Sequence, residues 1–148
     1  MASLFTRLRK SKDNRKNFIF IRTKHSFSVL NIYPYNNGHV LVVPNRQVVE
    51  LSQLTKAEKE DLFSLMEETK SLLDKVLRPQ GYNIGINLGR VAGAGIPEHL
   101  HIHIVPRWRG DTNFMPVVGN TKVMSQSLTT LFDKLVHAHK KRIRRARR

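Results

Sequence analysis

His99, His101 and His103 alternate with Leu100, Ile102 and Ile104, just ahead of Val105-Pro106-Arg107-Trp108. On an extended strand successive side chains point to opposite faces. The three imidazoles therefore share one face and the three aliphatic side chains share the other. The aliphatic row requires a core behind it. The imidazole row is not what packing alone produces, and it lines up nitrogen bases on a rigid element.

The rest of the chain supplies that core. Phe18-Ile19-Phe20-Ile21 and Phe27 to Ile32 are short β-branched and aromatic runs, with Arg22 to Ser26 short enough for a hairpin. Asn37-Gly38 marks a turn, and His39-Val40-Leu41-Val42-Val43 is a further strand stopped by Pro44. Thr55-Lys56-Ala57-Glu58 reads as a capping box. Leu62, Leu65, Met66, Thr69, Leu72, Leu73, Val76 and Leu77 follow at helical spacing. Tyr82, Ile84, Ile86 and Leu88 alternate as a half-buried strand, and Leu128 to Val136 predicts a last helix. The turns between the first strands are too short for crossovers. An α+β class follows, with a mainly antiparallel sheet of about five strands, a long helix and a C-terminal helix.

The 148 residues suit one core. Of the net charge of +15, residues 1–16 carry +5 and residues 140–148 carry +7. The expected organisation is a basic lead (1–16), a catalytic domain (17–139) and a basic tail (140–148). The tail could attract nucleic acid or an anionic surface by counterion release, or be a solvated helix extension. Cysteine is absent, which excludes disulfides and thiolate zinc sites. No apolar run approaches the length of a membrane span, and the N-terminus has no apolar signal core, so a cytoplasmic setting is expected.

The histidine row has three readings: satisfied histidines on a half-buried strand, a metal site, or a catalytic row. As a metal site it suffers from spread, because its outer members lie about 13 Å apart on an ideal strand. No completing carboxylate is obvious nearby. As a catalytic row it has suitable chemistry. Neutral imidazole is a competent nucleophile near pH 7 when one nitrogen holds the proton and is anchored. Its neighbours can donate to anionic oxygens.

The run His99 to Arg107 resembles the signature of the histidine-triad (HIT) family. Asn31-Ile32-Tyr33-Pro34-Tyr35-Asn36-Asn37-Gly38-His39 resembles that family's second motif, and Asn87 to Gly95 resembles its phosphate-side loop. The resemblance spans roughly residues 17–135. It implies nucleotide hydrolases and nucleotidyl transferases that work as homodimers with strands joined across the interface. His101 would be the nucleophile on an α-phosphorus, and His103 would contact its oxygens. His99 and His39 would support the row. Asn31 would meet the ribose, while Asn87, Gly93 and Gly95 would hold phosphate. Where many members have a hydroxyl residue before the triad, this chain has Gly93-Ala94-Gly95-Ile96-Pro97-Glu98, so leaving-group protonation would fall to His99 or His103.

The extension Pro106 to Val117 resembles the diadenosine tetraphosphate phosphorylase and hydrolase branch. It would bring Trp108 near the substrate, against the alternative of a structural tryptophan at a strand end. Arg107 and Arg109 either pair with phosphates or lie on a solvated edge. His25, His137 and His139 are expected at the surface. The implied activity is cleavage of dinucleoside polyphosphates with phosphate or water as acceptor. No protein-held metal is expected, although the substrate could arrive with Mg2+. The alternatives are a phosphoramidate or acyl-adenylate hydrolase, a nucleic-acid-associated nucleotide-binding protein, and a metalloprotein.

Overall fold

The computed structural model describes residues 2–113, 115–121 and 123–147. The elements in chain order are α1 (Leu4–Lys10), β1 (Ile19–Arg22), β2 (Ser26–Leu30), β3 (Val40–Pro44), α2 (Lys56–Leu77), β4 (Gly81–Gly85), β5 (Ile102–Arg107), α3 (Met115–Val118) and α4 (Leu128–Ala146). A short 3₁₀ turn, Leu51–Gln53, precedes α2.

The five strands form one sheet in the order β1-β2-β3-β5-β4, every pairing antiparallel. The tight connections keep β1, β2 and β3 adjacent. The long helix α2 then carries the chain past β5, so β4 ends as an edge strand. The expected capping box is present: Thr55 Oγ accepts from the Glu58 N–H, and the Glu58 carboxylate accepts from the Thr55 N–H. Glu58 also holds Arg46 through two bonds of 2.9 and 2.7 Å, which tie the end of β3 to the start of α2.

The strands β1, β2, β3 and β5 are buried on both faces. One face carries Val40, Val42, Leu100, Ile102 and Ile104 against Leu62, Leu65 and Leu72 of α2 and Leu131 and Leu135 of α4. The other face carries Phe27, Val29, Leu41 and Val43 against Phe5, with Leu8 alongside. Within the basic lead, α1 supplies that second layer and covers the face opposite α2 and α4. The basic tail is likewise continuous helix as far as Ala146. Among the described residues, no helix is long and apolar enough to cross a membrane.

Candidate active site

The strand pairing sorts the histidine row from its backing, with one difference from expectation. Leu100, Ile102 and Ile104 enter the main core, while His99, His101 and His103 are buried on the other face. The ladder between β3 and β5 begins only at Val42 and Ile102. His99 and His101 therefore precede the strand proper. There the ring of His99 takes up a backbone acceptor: its Nε2–H donates to the Pro44 carbonyl at 2.9 Å.

Each tautomer follows from its partners. His99 spends Nε2–H on Pro44, so its Nδ1 accepts, and Ser3 Oγ donates to it at 2.6 Å. His101 Nδ1–H donates to the His99 carbonyl at 2.8 Å, which leaves the lone pair on Nε2. His39 Nδ1 accepts the Tyr35 N–H at 3.0 Å, with Asn31 Nδ2 3.3 Å away. The His39 proton is then on Nε2 and is donated to His103 Nδ1 at 2.9 Å. Neutral His103 must carry its own proton on Nε2, and that buried nitrogen has no partner among the described residues. Two adjacent rings, 4.8 Å apart at their centroids, thus present a lone pair and an N–H.

Burial holds His99, His101 and His103 below the ordinary imidazole value, with backbone carbonyl bonds opposing the shift for His99 and His101. For His103 burial, aided by His101, pushes the value down to about 4. All three are neutral at pH 7. Neutral rings with fixed tautomers suit nucleophilic attack and hydrogen-bond donation, and suit permanent charge pairing poorly. With both His99 nitrogens and His101 Nδ1 committed, a shared metal would have to break these bonds.

His101 and His103 open into a cleft of about 520 Å³ with a largely apolar wall that includes Phe5, Leu8, Val29 and Ile96. Phe5 packs edge-on to His99 at 5.5 Å and tilts over His101 at 5.1 Å. Tyr35 lies parallel to His103, with centroids 5.6 Å apart. The cleft joins an apolar wall suited to a flat base to a polar end suited to phosphate.

The family model described as HIT domain matches residues 12–110. The chain belongs to the HIT domain family. The AP-4-A phosphorylase of Mycobacterium tuberculosis is 43% identical over 127 residues, which cover 86% of this chain and 65% of that protein. The bis(5'-nucleosyl)-tetraphosphatase [asymmetrical] of Schizosaccharomyces pombe is 42% identical over 93 residues, 63% of this chain and 50% of that one. The chain thus spans half to just under two thirds of the length of these relatives. The solved NitFhit protein of Caenorhabditis elegans superposes with a TM-score of 0.66 at 32% identity, over 82% of this chain and 27% of that one. A Zn-bound histidine triad family protein of Mycobacterium smegmatis superposes with a TM-score of 0.76 over 95% of both chains. At 21% identity that likeness is one of fold.

Within this HIT domain the expected site residues separate into two groups. His101, His103, Asn31 and Gly95 line the cleft, with His99 and His39 bonded directly behind. Asn31 also serves its turn, its Oδ1 accepting the Tyr33 N–H at 2.9 Å. Asn87 and Gly93 are not cleft-lining residues: Asn87 Nδ2 lies 3.4 Å from the Gly93 carbonyl, within their own loop. Trp108 also lies outside the cleft, past the end of β5, with its backbone N–H donating to Asp111. Arg107 is partly exposed and grips the Asp111 carboxylate through two bonds of 2.7 and 2.8 Å. His139 is half-buried and reaches Glu68 at 3.2 Å. Sequence reasoning missed Ser3 and Phe5. Their signal is present: Ser3 three residues ahead of Thr6, as a helix cap, and Phe5 and Leu8 one turn apart.

Proposed function

We propose that this chain cleaves dinucleoside polyphosphates, diadenosine tetraphosphate among them, at an α-phosphorus through a nucleotidyl-histidine intermediate on His101. The observation that carries the reading is the opposite proton state of two adjacent rings: a lone pair on His101 Nε2 and a proton on His103 Nε2. The names of the curated relatives support the substrate class. His101 Nε2 attacks phosphorus, the N–P bond forms, and the bond to the bridging oxygen breaks. The His103 Nε2–H is placed to donate to that departing oxygen or to a neighbouring phosphate oxygen. This supplies the proton that the Gly93-Ala94-Gly95 loop has no hydroxyl to give. An acceptor then attacks the phosphorus and returns His101 with its lone pair. Phosphate as acceptor gives a nucleoside diphosphate, and water gives a monophosphate.

In this reading Asn31 meets the ribose at the cleft wall, and Asn87 with Gly93 frames the phosphates from the loop before the triad. The working unit is a homodimer joined along the β4 edge, in the cytoplasm, where nucleotides are at hand. The test is intact-protein mass spectrometry after brief exposure to diadenosine tetraphosphate, with His101→Ala in parallel and products assayed with and without phosphate. A transient gain of one adenylyl group on the parent alone supports the reading. Turnover by His101→Ala at the parent rate, or none by the parent, overturns it.

A further inference from the structure

The face of the sheet opposite the histidines carries a second concavity. The C-terminal turn of α2 and the outer side of α4 enclose a groove of about 700 Å³ whose rim holds Lys75, Lys134, His137, Lys141, Arg142 and Arg145, with Val76 and Ala138 at its floor. Lys134, His137, Lys141 and Arg145 fall on one side of α4, spaced three and four residues apart. They span about 17 Å of helix at 1.5 Å per residue.

The acidic residues beside this groove are already spent. Asp133, which itself lines the groove, is paired with Arg15, Glu68 with Arg142 at 2.6 Å, and Asp74 with Lys70 at 2.8 Å. Among the described residues Lys75, Lys141 and Arg145 have no carboxylate partner. From Lys134 to the end of the chain there is no Asp or Glu at all. The charge is therefore uncompensated and arranged in a row, which calls for a ligand with repeated negative charge rather than for one nucleotide.

We infer that this groove binds the phosphodiester backbone of a nucleic acid strand. The cations of this row can meet successive phosphates of one strand, each contact releasing a condensed counterion. An anionic membrane is the poorer fit. The apolar residues of α4, Leu131, Phe132 and Leu135, are committed to the core, and Ile143 alone remains partly exposed as a large apolar residue in its last two turns. A helix that lies on a bilayer needs a free apolar face. No Phe, Tyr or Trp is among the described residues that line the groove, so recognition would rest on backbone charge and be insensitive to base sequence. The groove and the histidine cleft lie on opposite faces of the sheet, so occupancy of one leaves the other open.

The test is fluorescence anisotropy of the full chain with labelled 20-nucleotide RNA and DNA, single-stranded and duplex, from 50 to 200 mM salt. Binding should weaken with a log–log slope of about −2 to −3 for single strands, as expected when Lys75, Lys134, Lys141 and Arg145 release counterions. Lys141→Glu with Arg145→Glu should weaken binding at least about tenfold and make the slope shallower by about 1–2. Lys75→Glu, which lies outside the tail, should weaken it too, while turnover of diadenosine tetraphosphate stays at the parent level in every variant. The comparison of RNA with DNA identifies the source of the backbone. Absence of salt-dependent binding overturns the inference, as does binding to anionic vesicles alone. If Lys75→Glu binds like the parent, a loose tail and not a groove is responsible, and the inference also fails.

Discussion

His101 and His103 are the same residue type two positions apart, yet their partners give them opposite roles: a carbonyl takes the His101 proton inward, and His39 forces the His103 proton outward. Burial lowers both from the ordinary imidazole value, to about 4 for His103. Activity should therefore stay level as pH falls from 8 to the ordinary value near 6.5, and decline only below it. A kcat/KM profile with its acid limb above 6.5 would contradict this assignment. Stability has the same sign. A base whose folded value is depressed binds protons better when unfolded. Folding stability should therefore be complete above about 6.5 and be lost as pH falls toward 4. Denaturant melts across that window measure it. Ser3 extends the argument to a residue far off in sequence. Ser3→Ala leaves the buried Nδ1 of His99 without its donor, and should lower the unfolding free energy by about 1–3 kcal/mol. Ser3→Thr, which keeps the hydroxyl, should restore most of it. Equal stability of Ser3→Ala and the parent would show that the bond carries no weight.

Elements differ in how openly the sequence declares them. In α2, cap, apolar period and terminator agree, and the observed helix starts and ends where they say. Its anchor is testable. The Arg46 guanidinium and the Thr55 amide hold the Glu58 carboxyl well below its ordinary value, at about 2. The stabilisation is thus present above about 4.5 and fades as pH falls toward 2. Glu58→Gln should cost about 1–3 kcal/mol at pH 7 and converge with the parent in acid, read from paired denaturation curves. The Asn37-Gly38 turn is equally explicit. Gly38 sits at φ +79°, and a Cβ there would overlap the Leu77 Cδ1 at the end of α2. By contrast α1 is hidden, because Arg7, Arg9 and Lys10 dominate its composition and only Phe5 is fully buried. Its role emerges only in three dimensions, where the sheet proves to have a second apolar face in need of cover. The same reasoning explains Arg107. A cation after an apolar strand could serve a phosphate, and only the folded loop reveals Asp111 four residues on, which also accepts from Asn36. The histidine row was legible because alternation needs nothing but the strand period. The proton assignments were not, since they depend on Tyr35, Pro44 and Ser3.

For the whole molecule the open question of architecture is the β4 edge. Its inner side pairs with β5 over five residues, but its outer side has no neighbour strand among the described residues, and Ile84 is 44% exposed upon it. Exposed edges invite strand addition, and monomeric proteins blunt them with charge. This strand, Gly81-Tyr82-Asn83-Ile84-Gly85, carries none. Pairing with a second copy along β4 would extend the sheet to ten strands and satisfy the β4 edge of both copies. The single tryptophan reports on it. Trp108 is half-buried beside this edge, in a segment held by the bond from the Arg109 N–H to Gln80 and by Arg107 to Asn83. Sedimentation should therefore give twice the chain mass, and dilution below the dissociation constant should shift Trp108 emission to the red. Ile84→Lys places a charge on the edge. It should yield a folded monomer, unchanged in far-UV circular dichroism, whose emission is red-shifted at every concentration. A parent that sediments as a monomer with concentration-independent emission would remove β4 as an interface. It would also leave Trp108 as the structural end of β5, with no part in any nucleotide site.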